Sequence, residues 1–429
     1  MPFPTHLKSR LNLSDESWNL LAQARTETKT VREKIALTAD ANFLKVLAAF
    51  QECQVSEALL AGSTGYGYDD GGRESVDRLF ADVFGCESAA VRLQWVSGTH
   101  AIASALRGNL RPGQTLLAAT GAPYDTLLPL IGYPEDYQGS LRSFGVGYKE
   151  IPLKNSGIDL PAVTEAIDES TGLVFIQRSR GYTWRSSLSI DDIGSLIKAI
   201  RKTADRHVTI LVDNCYGEMV EELEPTQVGA DLCVGSLIKN IGATIVPTGA
   251  YVVGTESAVE RSLTAFTAPG LSGHVGPSLG MARGMAQALS LAPQTVAQSL
   301  EGLIVASWIF ENAGFETSPR WNEPRTDTIQ ALRLGSVKAQ RVFCKAVQSF
   351  GLVDSRATPV PVVQPGYRDP ILMAGGTFIQ GSSAELSADG PERDPHVCYL
   401  QGGTSRLHGE LAALAALEQL ESTGLGKKK

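Results

Sequence analysis

The sequence predicts an α/β fold: a mostly parallel sheet flanked by helices, with a smaller α+β domain at the C-terminal end. Three observations lead there. At 429 residues the chain exceeds what one core usually supports. Between about residues 74 and 255, short apolar runs alternate with amphipathic segments, the pattern of a parallel sheet with helices on both faces. After residue 351 the alternation gives way to strand-like pieces and one alanine-leucine helix.

In chain order, residues 14–60 read as helical from the spacing of Ile35, Leu37, Phe43, Val46 and Leu47. The glycine-, tyrosine- and aspartate-rich stretch 62–72 interrupts that pattern. Strands are expected at 91–96, 115–119, 173–177, 208–213, 231–235 and 250–253, with helices at 100–107, 160–168 and 190–201. Residues 276–350 read as largely helical apart from a break at 318–325, and a last helix starts near Leu407. The expected organisation is an N-terminal helical arm at 1–60, a large domain at 61–330 and a small domain at 331–429.

Net charge is −8, and no basic stripe offers a nucleic-acid surface; the only basic run is Lys427-Lys428-Lys429. Six cysteines lie far apart without a Cys-x-x-Cys pair, and six histidines are scattered, so no metal site and no disulfide framework is expected. Residues Met1 to Arg10 lack the apolar core of a signal peptide, and no apolar run reaches membrane-spanning length. A cytoplasmic location is the expectation. A nucleotide-binding reading fails because Gly65-Tyr-Gly67 lacks a third glycine, Asp70 standing in its place, and no Gly-Lys-Ser/Thr occurs.

The pentapeptide Gly-Ser-Leu-Ile-Lys occurs twice. The copy ending at Lys198 follows Ser189 and Asp192, a capping-box pattern, and continues as an ordinary charged helix face. The copy ending at Lys239 follows the apolar run Leu232-Cys-Val and sits among small residues. A lysine just past a buried strand is a candidate for the neutral amine that Schiff-base chemistry requires. Asp213 ends another expected strand and would point into the crevice where α/β sheets bind ligands. An amine for an aldehyde and a carboxylate for a ring nitrogen are what pyridoxal phosphate asks of a protein. A phosphate cradle is supplied by the strand-to-helix turn Ser97-Gly98-Thr99-His100, where backbone N–H groups and the helix dipole favour an anion, and Ser236 can add a hydroxyl.

With those residues in place, the sequence resembles the fold-type I pyridoxal-phosphate enzymes. Within them it is similar to the methionine γ-lyase and cystathionine β-lyase relatives known as aluminium-resistance proteins. The segments that carry the resemblance are Gly65-Tyr-Gly-Tyr-Asp-Asp-Gly-Gly-Arg73, Ser97-Gly-Thr-His100, Gly121-Ala-Pro-Tyr-Asp-Thr126, Gln177-Arg-Ser-Arg-Gly-Tyr182, Val212-Asp-Asn-Cys-Tyr-Gly-Glu218, Gly235-Ser-Leu-Ile-Lys-Asn240, Phe266-Thr-Ala-Pro-Gly270 and Tyr399-Leu-Gln-Gly-Gly403. They span about residues 15–420.

The resemblance implies that Lys239 carries the cofactor, that Asp213 pairs with its ring nitrogen, and that Gly98, Thr99 and Ser236 hold its phosphate. It assigns Tyr124 to ring stacking and to protonation of a leaving group, with His100 the alternative for stacking. Tyr66, Tyr68 and Arg73 match a segment that reaches a neighbouring subunit's phosphate, implying a homodimer or homotetramer with shared sites. In related lyases the arginine follows tyrosine by two residues, where this chain has Asp70. Arg393, then Arg406, is expected to meet the carboxylate of an amino-acid substrate. The family's apolar-Thr-Tyr run after Gly402-Gly403 is replaced here by Thr404-Ser405-Arg406. The expected reaction is carbon–sulfur elimination giving thiol, keto acid and ammonia. The alternatives are an aminotransferase or another fold-type I reaction and, in a different class, a non-catalytic binding protein.

Overall fold

The computed structural model describes residues 3–155, 157–204 and 207–426, so the terminal lysine run and Met1 lie outside the described residues. Two compact units divide the chain. The larger comprises residues 38–294 together with Pro365–Arg368, and the smaller comprises the N-terminal 37 residues, 295–364 and 369–429. These bounds differ from the expected 1–60, 61–330 and 331–429, because the first helices belong with the C-terminal residues.

The larger unit is built on seven strands: β1 (Ser88–Arg92), β2 (Thr115–Ala118), β3 (Gly147–Glu150), β4 (Thr171–Gln177), β5 (Thr209–Asp213), β6 (Leu232–Ser236) and β7 (Ala250–Gly254). Their order is β1-β7-β6-β5-β4-β2-β3, and β7 runs antiparallel to both its neighbours. The central strands read as continuous apolar runs because helices cover both faces. Leu173, Phe175 and Leu211 pack with Ala101, Ile102 and Leu106 of the helix Gly98–Asn109 and with Leu263 of the helix Glu256–Phe266. The alternate residues Val174, Ile176, Ile210 and Val212 pack on Leu196, Ile197 and Ile200 of the helix Ile190–Thr203. Period-two alternation therefore puts Asp213 on the same face as Leu211, the face covered by the helix that starts at Gly98. That helix N-terminus and the acid share one side of the sheet.

Two expectations need correction. The first strand is Ser88–Arg92 rather than 91–96, since Leu93 to Val96 form the turn leading to the helix cap Ser97. The stretch 276–350 is not largely helical. The helix Ala282–Asn312 is followed by β8 (Glu316–Ser318) and β9 (Ile329–Arg333) before the helix Val337–Ser349. Ile329 to Leu332 are all buried, and a short run buried on both sides carries no period to distinguish strand from helix.

In the smaller unit β8 and β9 join β10 (Ile371–Ala374), β11 (Ser387–Pro391) and β12 (Val397–Gln401) in an antiparallel sheet ordered β10-β11-β12-β9-β8. One apolar cluster unites this sheet with the C-terminal helix Arg406–Ser422 and the N-terminal helix Asp15–Glu27, through Leu332, Leu400, Leu414, Leu417, Trp18 and Leu21. Glu418 accepts hydrogen bonds from the Ser14 amide at 2.9 Å and from its hydroxyl, and Arg25 pairs with the buried Glu410. The two ends of the chain are thereby fastened to each other. Among the described residues no helix is long and apolar enough to cross a membrane.

Candidate active site

Asp213 and Ser236 are the last residues of adjacent strands β5 and β6, and Lys239 stands three residues beyond. Asp213 is buried and accepts a hydrogen bond from the Cys215 amide at 3.1 Å. Burial pushes its carboxyl up to about 6; the hydrogen bonds from Cys215 and the charges of Arg185 and Lys239 hold the rise in check. Lys239 is half-buried and points its ammonium at the face of Tyr216, 4.6 Å from the ring centre. Its backbone closes a turn with Ser236 and opens the short 3₁₀ segment Asn240–Gly242. The other copy of the pentapeptide behaves differently: Lys198 is exposed on the helix Ile190–Thr203, and Ser189 and Asp192 form the expected capping box.

The helix Gly98–Asn109 starts against this strand edge. The Ser97 hydroxyl accepts from the His100 amide, the usual N-cap, and a side chain at Gly98 would come within 3.3 Å of the Ser236 Cβ and 3.4 Å of the Cys215 Sγ. The chain thus leaves open, beside Ser236, the space that a Cβ would fill. Thr99 shares a 2.9 Å hydrogen bond with Thr126. His100 turns aside from this edge: its ring meets Phe266 edge-on at 5.7 Å, its Nδ1 faces the Val96 amide at 3.4 Å, and burial lowers its basicity.

Tyr124 is fixed by its amide, which donates to the Gln177 side chain at 2.6 Å, and by its hydroxyl, 2.7 Å from that of Tyr367. Its ring contacts those of Tyr182 at 5.8 Å and Tyr367 at 5.7 Å. Burial first, and then the neighbouring phenols, push its proton affinity well above the ordinary tyrosine value. The phenol stays neutral, fit to donate a proton and not to take one.

Tyr66 and Tyr68 stack on each other at 5.4 Å and are exposed. Arg73 is buried and donates to the Gly67 and Gly276 carbonyls at 2.6 and 3.1 Å, so its guanidinium holds the loop that presents the two tyrosines. Asp70, in the position where the related lyases have arginine, caps the helix Gly71–Val83. Burial opposes its charge, yet hydrogen bonds from Ser278, Ser63 and the Arg73 amide keep it firmly ionised. Arg393 and Arg406 belong to the smaller unit, where Arg393 pairs with Asp369 at 2.6 Å and Arg406 with Glu301 at 2.9 Å.

Several residues escaped the sequence reading. Tyr182, Tyr216 and Glu218 lay inside segments already singled out, without a role. Glu218 is fully buried; one carboxyl oxygen accepts from Tyr251 at 3.0 Å, the other has no hydrogen-bond partner, and burial raises the group to about 8. Arg185, which tempers Asp213, and Tyr367 carried no local signal.

A buried strand-end acid that burial leaves short of full ionisation, a strand-end lysine, and a helix N-terminus opened by glycine fit pyridoxal phosphate in its three demands. The protonated ring nitrogen would supply the charge that Asp213 faces, and Gly98 leaves room at the phosphate end. Sheet and site together define a fold-type I pyridoxal-phosphate protein. The sequence pattern of the methionine gamma-lyase family matches residues 17–421, and the chain belongs to that family. It is 43% identical to the uncharacterised protein YnbB of Bacillus subtilis, over 91% of this chain and 93% of that one. A solved structure from Clostridium acetobutylicum, provisionally named a cystathionine beta-lyase involved in aluminium resistance, is 42% identical with a TM-score of 0.94, covering 98% of this chain and all of that one. One from Clostridium novyi, named a carbon-sulfur lyase involved in aluminium resistance, is 43% identical with a TM-score of 0.92 over the same shares.

Proposed function

We propose that this chain is a pyridoxal-phosphate-dependent carbon–sulfur lyase, splitting a sulfur-containing amino acid into thiol, keto acid and ammonia by β- or γ-elimination. The observation that carries the reading is the convergence of Asp213, Lys239, Ser236 and the Gly98 helix terminus on one sheet edge, in a member of the methionine gamma-lyase family. The names borne by the clostridial relatives support the same chemistry.

Bound there, pyridoxal phosphate supplies an electron sink for the pair left when Cα loses its proton. Lys239 holds the cofactor and, once displaced by the substrate amine, takes the Cα proton. Asp213 keeps the ring nitrogen protonated. The Gly98 and Thr99 amides and the Ser236 hydroxyl hold the phosphate, and Tyr124 stands at the ring with His100 as the alternative. Breaking the C–S bond leaves charge on sulfur, which the tyrosine cluster neutralises with a proton. Arg393, then Arg406, is the proposed partner of the substrate carboxylate. The exposed pair Tyr66 and Tyr68, with Arg73 bracing the loop, suits a contribution to a second copy's phosphate site, in a cytoplasmic homodimer or homotetramer.

Borohydride reduction of the cofactor-loaded protein followed by peptide mapping should find the adduct on Lys239; an adduct on another lysine refutes the assignment. Thiol and ammonia release should be assayed with cystathionine, cysteine, homocysteine and methionine. Transfer of the amino group to a second keto acid would point to an aminotransferase instead, and no turnover on any amino acid to a binding protein.

A further inference from the structure

The four residues Pro365–Arg368 group with the larger unit although the chain on either side does not. They form the tip of a loop whose base is pinned by Val362 and Ile371, which exchange both backbone hydrogen bonds at 3.0 and 2.9 Å. At the tip Gly366 takes a left-handed conformation, φ +86°, and lies so close to Thr126 that a Cβ would stand 3.1 Å from its Cγ2. Thr126 is the hydroxyl partner of Thr99 in the proposed phosphate turn. The next residue, Tyr367, meets Tyr182 at 5.9 Å as well as Tyr124, so three phenol rings close a triangle. A glycine at this φ, in contact, followed by a tyrosine whose hydroxyl is 2.7 Å from that of Tyr124, delivers one functional group to one place.

We propose that Tyr367 is the phenol that hands the proton to the departing sulfur, with Tyr124 behind it as the positioning donor to the same oxygen. The inference rests on the lyase reading and refines its acid. A hydroxyl has one hydrogen and two lone pairs, so a single hydrogen lies between the two oxygens and only one phenol has a proton left for a third group. Tyr124 is the more confined member: its amide is tied to Gln177, and its surroundings hold its proton tightly. Its hydrogen therefore occupies the pair, and that of Tyr367 is free to turn towards substrate. When the C–S bond breaks, its electron pair goes to sulfur and the Tyr367 proton forms the S–H bond. The charge left on the Tyr367 oxygen is met by the Tyr124 hydrogen bond. The proton that Lys239 took from Cα balances it, and its return through water resets the site.

The test compares full-length loaded wild type with Tyr367→Phe, Tyr124→Phe and Gly366→Ala on two cysteine S-conjugates, one releasing an alkyl thiol and one an aryl thiol whose thiolate needs no proton. Tyr367→Phe should slow alkyl-thiol release about a hundredfold and aryl-thiol release by less than about threefold. Tyr124→Phe should slow alkyl-thiol release about tenfold and move the alkaline limb of its kcat profile to higher pH. Gly366→Ala, which displaces the tip without touching a hydroxyl, should reproduce the selective loss of Tyr367→Phe. Equal losses on both conjugates, or none, in Tyr367→Phe overturn the proton-donor role. A second readout needs no turnover. In the cofactor-free protein, with Tyr124→Phe as the blank, near-ultraviolet tyrosinate absorbance should show Tyr124 ionising at lower pH once the Tyr367 hydroxyl is gone; an unmoved titration overturns the pairing. Absence of thiol from wild type with either conjugate overturns the lyase reading itself, while the titration still decides the pair.

Discussion

At Asp213 a single carboxyl carries two opposite pH dependences. Its folded value of about 6 lies above that of an unfolded aspartate near 4. Without cofactor, the folded chain therefore keeps a proton that the unfolded chain has lost. The stability this provides is complete below about pH 4 and vanishes as pH rises through about 6. Binding of a protonated ring nitrogen needs the carboxylate, which exists only above that value. The stabilisation conferred by pyridoxal phosphate should therefore grow as pH rises from 5 to 7, seen as a widening gap between the melting temperatures of loaded and cofactor-free protein. Asp213→Asn should bind the cofactor about two orders of magnitude more weakly and show no such widening. A gap that stays constant with pH would detach Asp213 from the ring nitrogen.

At the scale of elements, the junction of β6 with the helix Gly98–Asn109 offers a cleaner separation of fold from site. Gly98→Ala favours the helix by local propensity but places a methyl 3.3 Å from the Ser236 Cβ. The cofactor-free melting temperature should hold, while affinity for pyridoxal phosphate, followed by fluorescence titration, falls about tenfold or more. Unchanged affinity would place the phosphate elsewhere. This junction was legible in the sequence because each part announces itself locally: a strand-end acid, a lysine outside any helical charge pattern, a capped turn after a strand. The edge strand Gly147–Glu150 was not legible, since its exposed Tyr-Lys-Glu face has no apolar run. Residues Ile329–Arg333 were misread for the opposite reason, uniform burial. Tyr367 was beyond reach, because it meets Tyr124 across 243 residues of sequence and its loop, rich in proline, valine and glycine, has no helical or strand period.

Over the whole molecule, the smaller unit depends on residues from both extremes of the chain. Trp18 is only 8% exposed within the cluster that holds Leu303, Phe310 and Leu417. Trp18→Ala should destabilise that unit by about 3–5 kcal/mol, visible in calorimetry as an earlier transition, while Lys239 still takes up cofactor in the remaining folded part. Loss of cofactor uptake in step with that early transition would show that the two units melt as one. The division also sets an order of events on the ribosome. Residues 38–294 form almost all of one unit and emerge as a continuous stretch, so the sheet bearing Asp213 and Lys239 can assemble while translation is still under way. The opening helix has no such liberty. Its apolar face waits, uncovered, until the final helix has been made, and over that interval the nascent chain has most need of a chaperone.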